Sequence, residues 1–120
     1  MTYTISGKQY TEFDINKRCA EIDPYVYKIH GSHPSTSESA VHVEGQYGKY
    51  GNYYNVGFDP CNNWNDAGPI IDKCWDELMK LTETYDDGIA DGLCTRWEAA
   101  MINHNCTKLV AACICLIELN

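Results

Sequence analysis

The chain has 120 residues, 9 of them basic and 17 acidic, and its net charge at pH 7 is -8. A chain of this length is typical of a single domain built around one core, which here takes in residues 1–120. The negative charge disfavours binding to a polyanion such as duplex DNA or a long RNA. It is compatible with a small anion held by a few local donors, or with a basic partner protein.

The N-terminal half predicts one helix followed by three strands. Thr11 and Asp14 have the spacing of a capping box, so we expect a helix over residues 13–22 that ends at Asp23-Pro24. Alternating and β-branched residues then predict strands, joined by polar connections that contain glycine, over residues 25–30, 40–44 and 53–58.

The segment 59–75 combines a turn, a helix start and an apolar helix face. Asn63 suits the N-cap, because its side-chain oxygen can accept a hydrogen bond from the first turn. Pro69 removes one backbone hydrogen bond, so we expect a bent first turn. The N–H groups of that turn, together with Asn62 and Trp64, then predict a site for an anionic ligand. A plain capped core helix is the alternative.

The C-terminal part predicts an acidic loop over residues 85–92, and a strand rather than a short helix over residues 95–102. A helix is expected from Asn105 to about residue 119, and it is apolar on all sides. Its outer side, which includes Ala112, is covered either by the same chain or by a second subunit, and we expect a second subunit, so that this helix forms part of a homo-oligomer interface. Together these elements predict an α+β fold in which three helices pack on an antiparallel sheet of about four strands.

The seven cysteines show neither a C-x2-C pair nor a ligand set completed by histidine, so we expect free thiols and no bound metal. Residues 1–10 lack the apolar part of a secretory signal, which predicts a cytoplasmic protein. The longest apolar run, residues 109–117, is far shorter than the ~20 residues that cross a bilayer. We therefore expect no membrane partner.

Motifs that would indicate an enzyme do not occur in the chain: there is no nucleophile elbow, zinc-protease motif, P-loop or dinucleotide fingerprint. Cys106 with His104 is a conceivable nucleophile and base, but no third group that would orient them is apparent. We therefore expect a binding protein that is not an enzyme and uses no cofactor.

Aromatic residues point to a binding surface, because nine tyrosines and three tryptophans stand against two phenylalanines. Rings in the segment 47–54 are expected to close over a ligand; the alternative is that they cover the edge of the core. Arg18 and Arg96 are the only arginines, and guanidinium groups match phosphate geometry. The predicted site for a small anionic nucleotide therefore comprises Asn62, Asn63, Trp64, Arg18, Arg96, Tyr47, Tyr50 and Tyr53.

Three segments resemble, in the same order, the landmarks of the NinX-like small phage proteins and of the related phage alpha-beta-alpha sandwich domain. They are residues 13–21 (FDINKRCAE), 61–71 (CNNWNDAGPII) and 105–112 (NCTKLVAA). The resemblance covers nearly the whole chain. It implies an antiparallel sheet with helices packed on it and an origin among phage accessory proteins.

In size and in its aromatic, capped-helix composition, the chain is similar to the nucleotide sponges with which phages evade host immunity, of the anti-CBASS or anti-Thoeris type. This resemblance implies a homo-oligomer, a dimer or tetramer, in the host cytoplasm. It would sequester a cyclic nucleotide signal, such as the cyclic dinucleotide cGAMP, without cleaving it. The alternative is an acidic, protein-directed inhibitor of the anti-CRISPR type. A sponge needs a positive or neutral pocket inside an acidic exterior, whereas a mimic of nucleic acid needs a continuous acidic face.

Overall fold

The structure, a computed structural model, describes residues 1–32, 38–47, 52–86 and 89–120. Its helices are α1 (Glu12–Ile22), α2 (Trp64–Leu78), α3 (Arg96–His104) and α4 (Lys108–Glu118). Its strands are β1 (Tyr3–Ile5), β2 (Lys8–Tyr10), β3 (Val26–Ser32), β4 (Val41–Tyr47), β5 (Asn52–Phe58), β6 (Leu81–Asp86) and β7 (Ile89–Thr95). The α+β class is confirmed. Within the described ranges, however, there are four helices rather than three and seven strands rather than about four.

The strands form three separate antiparallel sheets instead of one. The three strands expected in the N-terminal half make a sheet of order β3-β4-β5. Two further hairpins depart from the sequence-based expectation: β1 with β2, and β6 with β7 where an acidic loop was predicted. The turn between β1 and β2 is Ser6-Gly7, whose φ angles of 51° and 80° match the two-residue turns that suit a hairpin.

Helix α4 lies at the centre of the core. Residues 109–117 are all buried, because α1, α2, α3 and β1 pack around this helix. Ala112 is 0% exposed, so the chain itself covers the side that a second subunit was expected to cover. For α4, burial within one chain is therefore the correct alternative, and this helix gives no support to an oligomer.

Residues 95–102 fall in a helix and not in the strand that we favoured. Thr95 and Glu98 form a capping box in which the Glu98 N–H donates to Thr95 Oγ1 over 3.1 Å, and this box starts α3. Asn105, with a φ of 48°, ends α3 in the left-handed conformation instead of starting the next helix. Thr107 is the N-cap of α4.

The first helix begins as predicted, at a capping box in which the Asp14 N–H donates to Thr11 Oγ1 over 3.1 Å. In the described part of the chain, no single helix is long and apolar enough to cross a bilayer. Helices α3 and α4 reach that length and composition only as a pair bent by 104°.

Candidate functional site

A buried polar cluster joins α1 to the turn before α2. Asn16 is fully buried, and its Nδ2 donates to Asp59 Oδ1 over 2.7 Å and to the carbonyl of Ser39 over 2.9 Å. Its Oδ1 accepts the N–H of Cys61 over 3.1 Å. Asn62 Nδ2 donates to Ser39 Oγ over 3.0 Å and to Asp59 Oδ1 over 3.2 Å. The predicted ligand residue Asn62 thus takes part in fixing this turn.

Asn63 caps α2 as predicted. Its Oδ1 accepts the N–H of Asn65 over 2.8 Å and that of Asp66 over 3.3 Å, and its carbonyl accepts the N–H of Ala67 over 3.0 Å. The helix continues through Pro69. These bonds occupy amide groups that we expected to be free for an anion, so a phosphate here would have to displace the Asn63 side chain.

Carboxylates also lie at this end of α2. Asp66 Oδ2 accepts the N–H of Asp59 over 3.0 Å. Burial raises the pKa of Asp66, and the nearby Asp59 carboxylate adds to that rise, although the hydrogen bond from the Asp59 N–H opposes it. Trp64 stands beside them and is 60% exposed. Negative charge at the start of α2 makes it an unfavourable place for a phosphate group.

Arg96, the first residue of α3, ties together α2 and α4. Its guanidinium nitrogens lie 2.7 Å from Glu77 Oε2 and 3.5 Å from Glu118 Oε2. A cleft of about 420 Å³ opens beside it. Because two carboxylates already balance its charge, Arg96 serves to hold three helices together rather than to attract an anion.

Arg18 lies in a cleft between α1 and β2 that is lined by three basic side chains. This basic cleft has a volume of about 330 Å³ and is lined by Lys8, Gln9, Tyr10, Asp14, Lys17, Arg18 and Glu21. Among the described residues, Arg18 forms no ion pair. Asp14 already accepts the N–H of Thr11 over 3.0 Å, and Lys8 Nζ lies 5.4 Å from the centre of the Tyr10 ring. With three cations against the carboxylates of Asp14 and Glu21, the cleft has a small net positive charge in an acidic protein.

The structure does not bring all the predicted site residues together. Arg18 and Arg96 line two different clefts, and neither of these includes Asn62, Asn63 or Trp64.

Two of the three predicted tyrosines belong to strands of the β3-β4-β5 sheet: Tyr47 ends β4 and Tyr53 lies in β5. Tyr50 lies outside the residues that the structure describes, and so do the side chains of Tyr47 and Tyr53. In the backbone, Tyr47 of β4 pairs with Asn52 of β5, and Tyr53 pairs with Gln46. The closure of these rings over a ligand stays a prediction.

Reasoning from the sequence missed four residues that the basic cleft offers to a ligand: Lys8, Gln9, Tyr10 and Lys17. Lys8 and Tyr10 belong to the unpredicted hairpin β1–β2, whose Ser6-Gly7 turn was the signal that would have revealed it. Lys17 precedes Arg18 on α1, but its relation to β2 appears only when the hairpin packs beside the helix.

The seven thiols are free, and five of them are buried. Neighbouring thiols and burial raise the pKa of Cys113, which is near Cys19 and Cys61, and that of Cys115, which is near Cys74. Burial, with a smaller effect of the Cys61 thiol, raises the pKa of Cys106 to about 11, so this thiol is protonated at neutral pH and is not an activated nucleophile. Within the described ranges, no group of three or more His, Cys, Asp or Glu side chains is placed to hold a metal ion.

No family model matches the chain, and no curated protein or solved structure matches it either. The resemblance to the NinX-like phage proteins therefore stays a prediction, and the geometry of the clefts is what bears on function.

Proposed function

We propose that the protein binds a small phosphorylated ligand, a cyclic dinucleotide of the kind used in host defence signalling, and sequesters it without cleaving it. The observation that carries this proposal is the basic cleft. In a chain with a net charge of -8, Lys8, Lys17 and Arg18 converge on one cleft, and the guanidinium of Arg18 has no carboxylate partner among the described residues.

Each wall of the basic cleft offers a different contact. The planar fork of Arg18 matches two phosphate oxygens, and Lys17 and Lys8 add ammonium charge. The Tyr10 ring offers a face for stacking on a nucleobase, which would displace the Lys8 ammonium that now lies above it. Gln9 can both donate to and accept from a base edge. This combination favours a nucleotide over a bare anion.

The size of the cleft bears on how many chains enclose one ligand. Its volume of about 330 Å³ is at the lower end of the range for ligand pockets, which is roughly 300–1,000 Å³. A single nucleotide unit suits such a volume, whereas a cyclic dinucleotide has two units. We therefore propose that the clefts of two copies enclose one ligand in a homo-oligomer that acts in the cytoplasm of a host cell.

A thermal-shift screen of cyclic mono- and dinucleotides tests this function. Ligand at a hundred times its Kd should stabilise the folded protein by about 2.7 kcal/mol, which raises the melting temperature by several degrees. Chromatography of the ligand after release should recover it unchanged, as sequestration requires. If no nucleotide shifts the melting temperature, the proposal is wrong and the acidic protein-directed inhibitor becomes the better candidate.

A further inference from the structure

The outer face of α2 carries an exposed aromatic stripe. Trp64, Gly68, Ile71 and Trp75 follow one another at intervals of four, three and four residues, which places them on one side of the helix. Trp64 is 60% exposed and Trp75 is 50% exposed, while Ile71 is half-buried between them. At 1.5 Å per residue the stripe is about 16 Å long, or roughly three helical turns. We call these four residues the α2 outer face.

Gly68 leaves open space on this face of the helix, between Trp64 and Trp75 in the chain. It is exposed within the helix, and a Cβ atom built on it would meet nothing within 4 Å, so the fold itself does not require a glycine there. Glycine is disfavoured inside a helix because it loses more backbone freedom than alanine. The fold does not need a glycine at this position, which lies between two exposed tryptophans. Close approach of another molecule to the backbone at this point would explain it.

Charge is asymmetric around the α2 outer face. Asp72 and Asp76 are exposed along one border of the stripe, while the other border passes into the core at Cys74 and Leu78. The one exposed cation inside the helix, Lys73, projects about 160° around the axis from Trp75 at 100° per residue, away from the stripe. The face therefore combines an apolar centre with an acidic border.

We propose that the α2 outer face is a docking surface for an amphipathic helix of a partner protein, one that carries Lys or Arg beside its apolar residues. The apolar ridge of such a helix would lie between Trp64 and Trp75 and approach the backbone at Gly68, and its basic side chains would meet Asp72 and Asp76. This inference goes beyond the small-ligand site and does not depend on it, because the basic cleft is built by α1 and β2.

The test uses fluorescence anisotropy with a synthetic helical peptide of leucine and lysine arranged on opposite faces. Controls are a scrambled peptide of the same composition and an isomer in which glutamate replaces lysine. The unmodified protein is compared with Gly68→Gln, which fills the open space at Gly68 with a neutral side chain that favours a helix, and with Lys80→Gln, which changes charge away from the stripe. Trp75→Ser provides a second variant of the face.

We expect the leucine–lysine peptide to bind at least about tenfold more tightly than either control peptide. Gly68→Gln and Trp75→Ser should each weaken binding by about tenfold or more, while Gly68→Gln keeps or raises the melting temperature and Lys80→Gln binds within about twofold of the unmodified protein. Equal affinity for the scrambled peptide, or unchanged affinity of Gly68→Gln, would overturn the proposal.

Two other occupants give different results. A dimer of the unmodified protein in light scattering that becomes a monomer in Gly68→Gln would assign the face to a second copy of this chain. Binding to neutral phosphatidylcholine vesicles that Trp75→Ser abolishes would assign it to a lipid surface. Either result, without selective binding of the basic peptide, counts against a basic partner helix.

Discussion

The Nδ2 group of Asn16 donates to Oδ1 of Asp59 over 2.7 Å, and both residues are buried. This bond connects α1 with the turn before α2, two parts of the chain that are 43 residues apart. Because Asn16 also accepts the N–H of Cys61, a single amide satisfies polar groups that would otherwise lose partners inside the protein.

Asn16→Ala should therefore destabilise the protein by about 2 to 3 kcal/mol, since the Cys61 N–H would lose its acceptor and Asp59 one of its donors. Ser39→Ala is the matched control. It removes a partly buried hydroxyl of the same cluster and should cost about 1 kcal/mol. Urea denaturation measures both values, and an Asn16→Ala variant as stable as Ser39→Ala would contradict this role of the amide.

A second prediction concerns the effect of Asp66 on how the stability of the protein depends on pH. Burial raises its pKa in the folded protein, so the folded state takes up this proton more readily than the unfolded chain. The stabilisation of the folded state by protonated Asp66 is complete below the unfolded pKa of about 3.9, and it is lost as pH rises through the pKa of the folded state. Ionised Asp66 is thus unfavourable at pH 7.

The free energy of unfolding of Asp66→Asn, relative to that of the unmodified protein, should accordingly be higher at pH 7 than at pH 3.5. The variant keeps the hydrogen bond, because the amide oxygen can still accept the N–H of Asp59. Denaturation curves at the two pH values give the comparison. A variant that loses more stability at pH 7 than at pH 3.5 would show that the carboxylate charge is favourable in this position.

Ala112→Glu distinguishes core burial from a subunit interface. Ala112 is 0% exposed in the single chain, so a glutamate would place an unpaired charge in the core and should cost more than about 4 kcal/mol. Loss of the helical circular dichroism signal is the expected result. A folded variant that has merely changed its oligomeric state would instead support the interface that the sequence suggested.

Arg96→Ala should have a modest effect on stability and none on ligand affinity. The side chains in its two ion pairs are about one-third exposed, so each pair contributes about 0 to 1 kcal/mol after screening by solvent. Urea denaturation and calorimetry separate the two quantities. A clear loss of nucleotide affinity with unchanged stability would show that Arg96 belongs to the ligand site.

Elements with explicit end signals were predictable from the sequence. Thr11 with Asp14 located α1, and Asn63 located α2, because a cap is set by residues adjacent in the chain. The prediction of a strand over residues 95–102 was wrong because a short apolar segment fits both the helical and the strand period, and the capping box of Thr95 and Glu98 decides for the helix.

The candidate site was harder to predict than the helices. Arg18 was proposed from its chemistry alone, whereas Lys8 reaches the basic cleft only because the β1–β2 hairpin packs beside α1. Asn62 has the residue type of a ligand group, but a buried neighbour, Asp59, engages its amide. Whether a polar side chain is free or already bonded depends on tertiary contacts, which local patterns do not contain.

The most direct test is titration calorimetry of the unmodified protein, Arg18→Ala and Lys80→Ala with the cyclic dinucleotide that gives the largest thermal shift. Arg18→Ala should weaken binding by about 1 to 3 kcal/mol without lowering the melting temperature of the free protein, because in the proposed complex its guanidinium contacts phosphate, and among the described residues it has no ion pair to lose. Lys80→Ala should bind like the unmodified protein, since Lys80 lines the cleft of Arg96. Equal affinity of Arg18→Ala and the unmodified protein, or the absence of binding heat for any cyclic nucleotide, would contradict the proposed site.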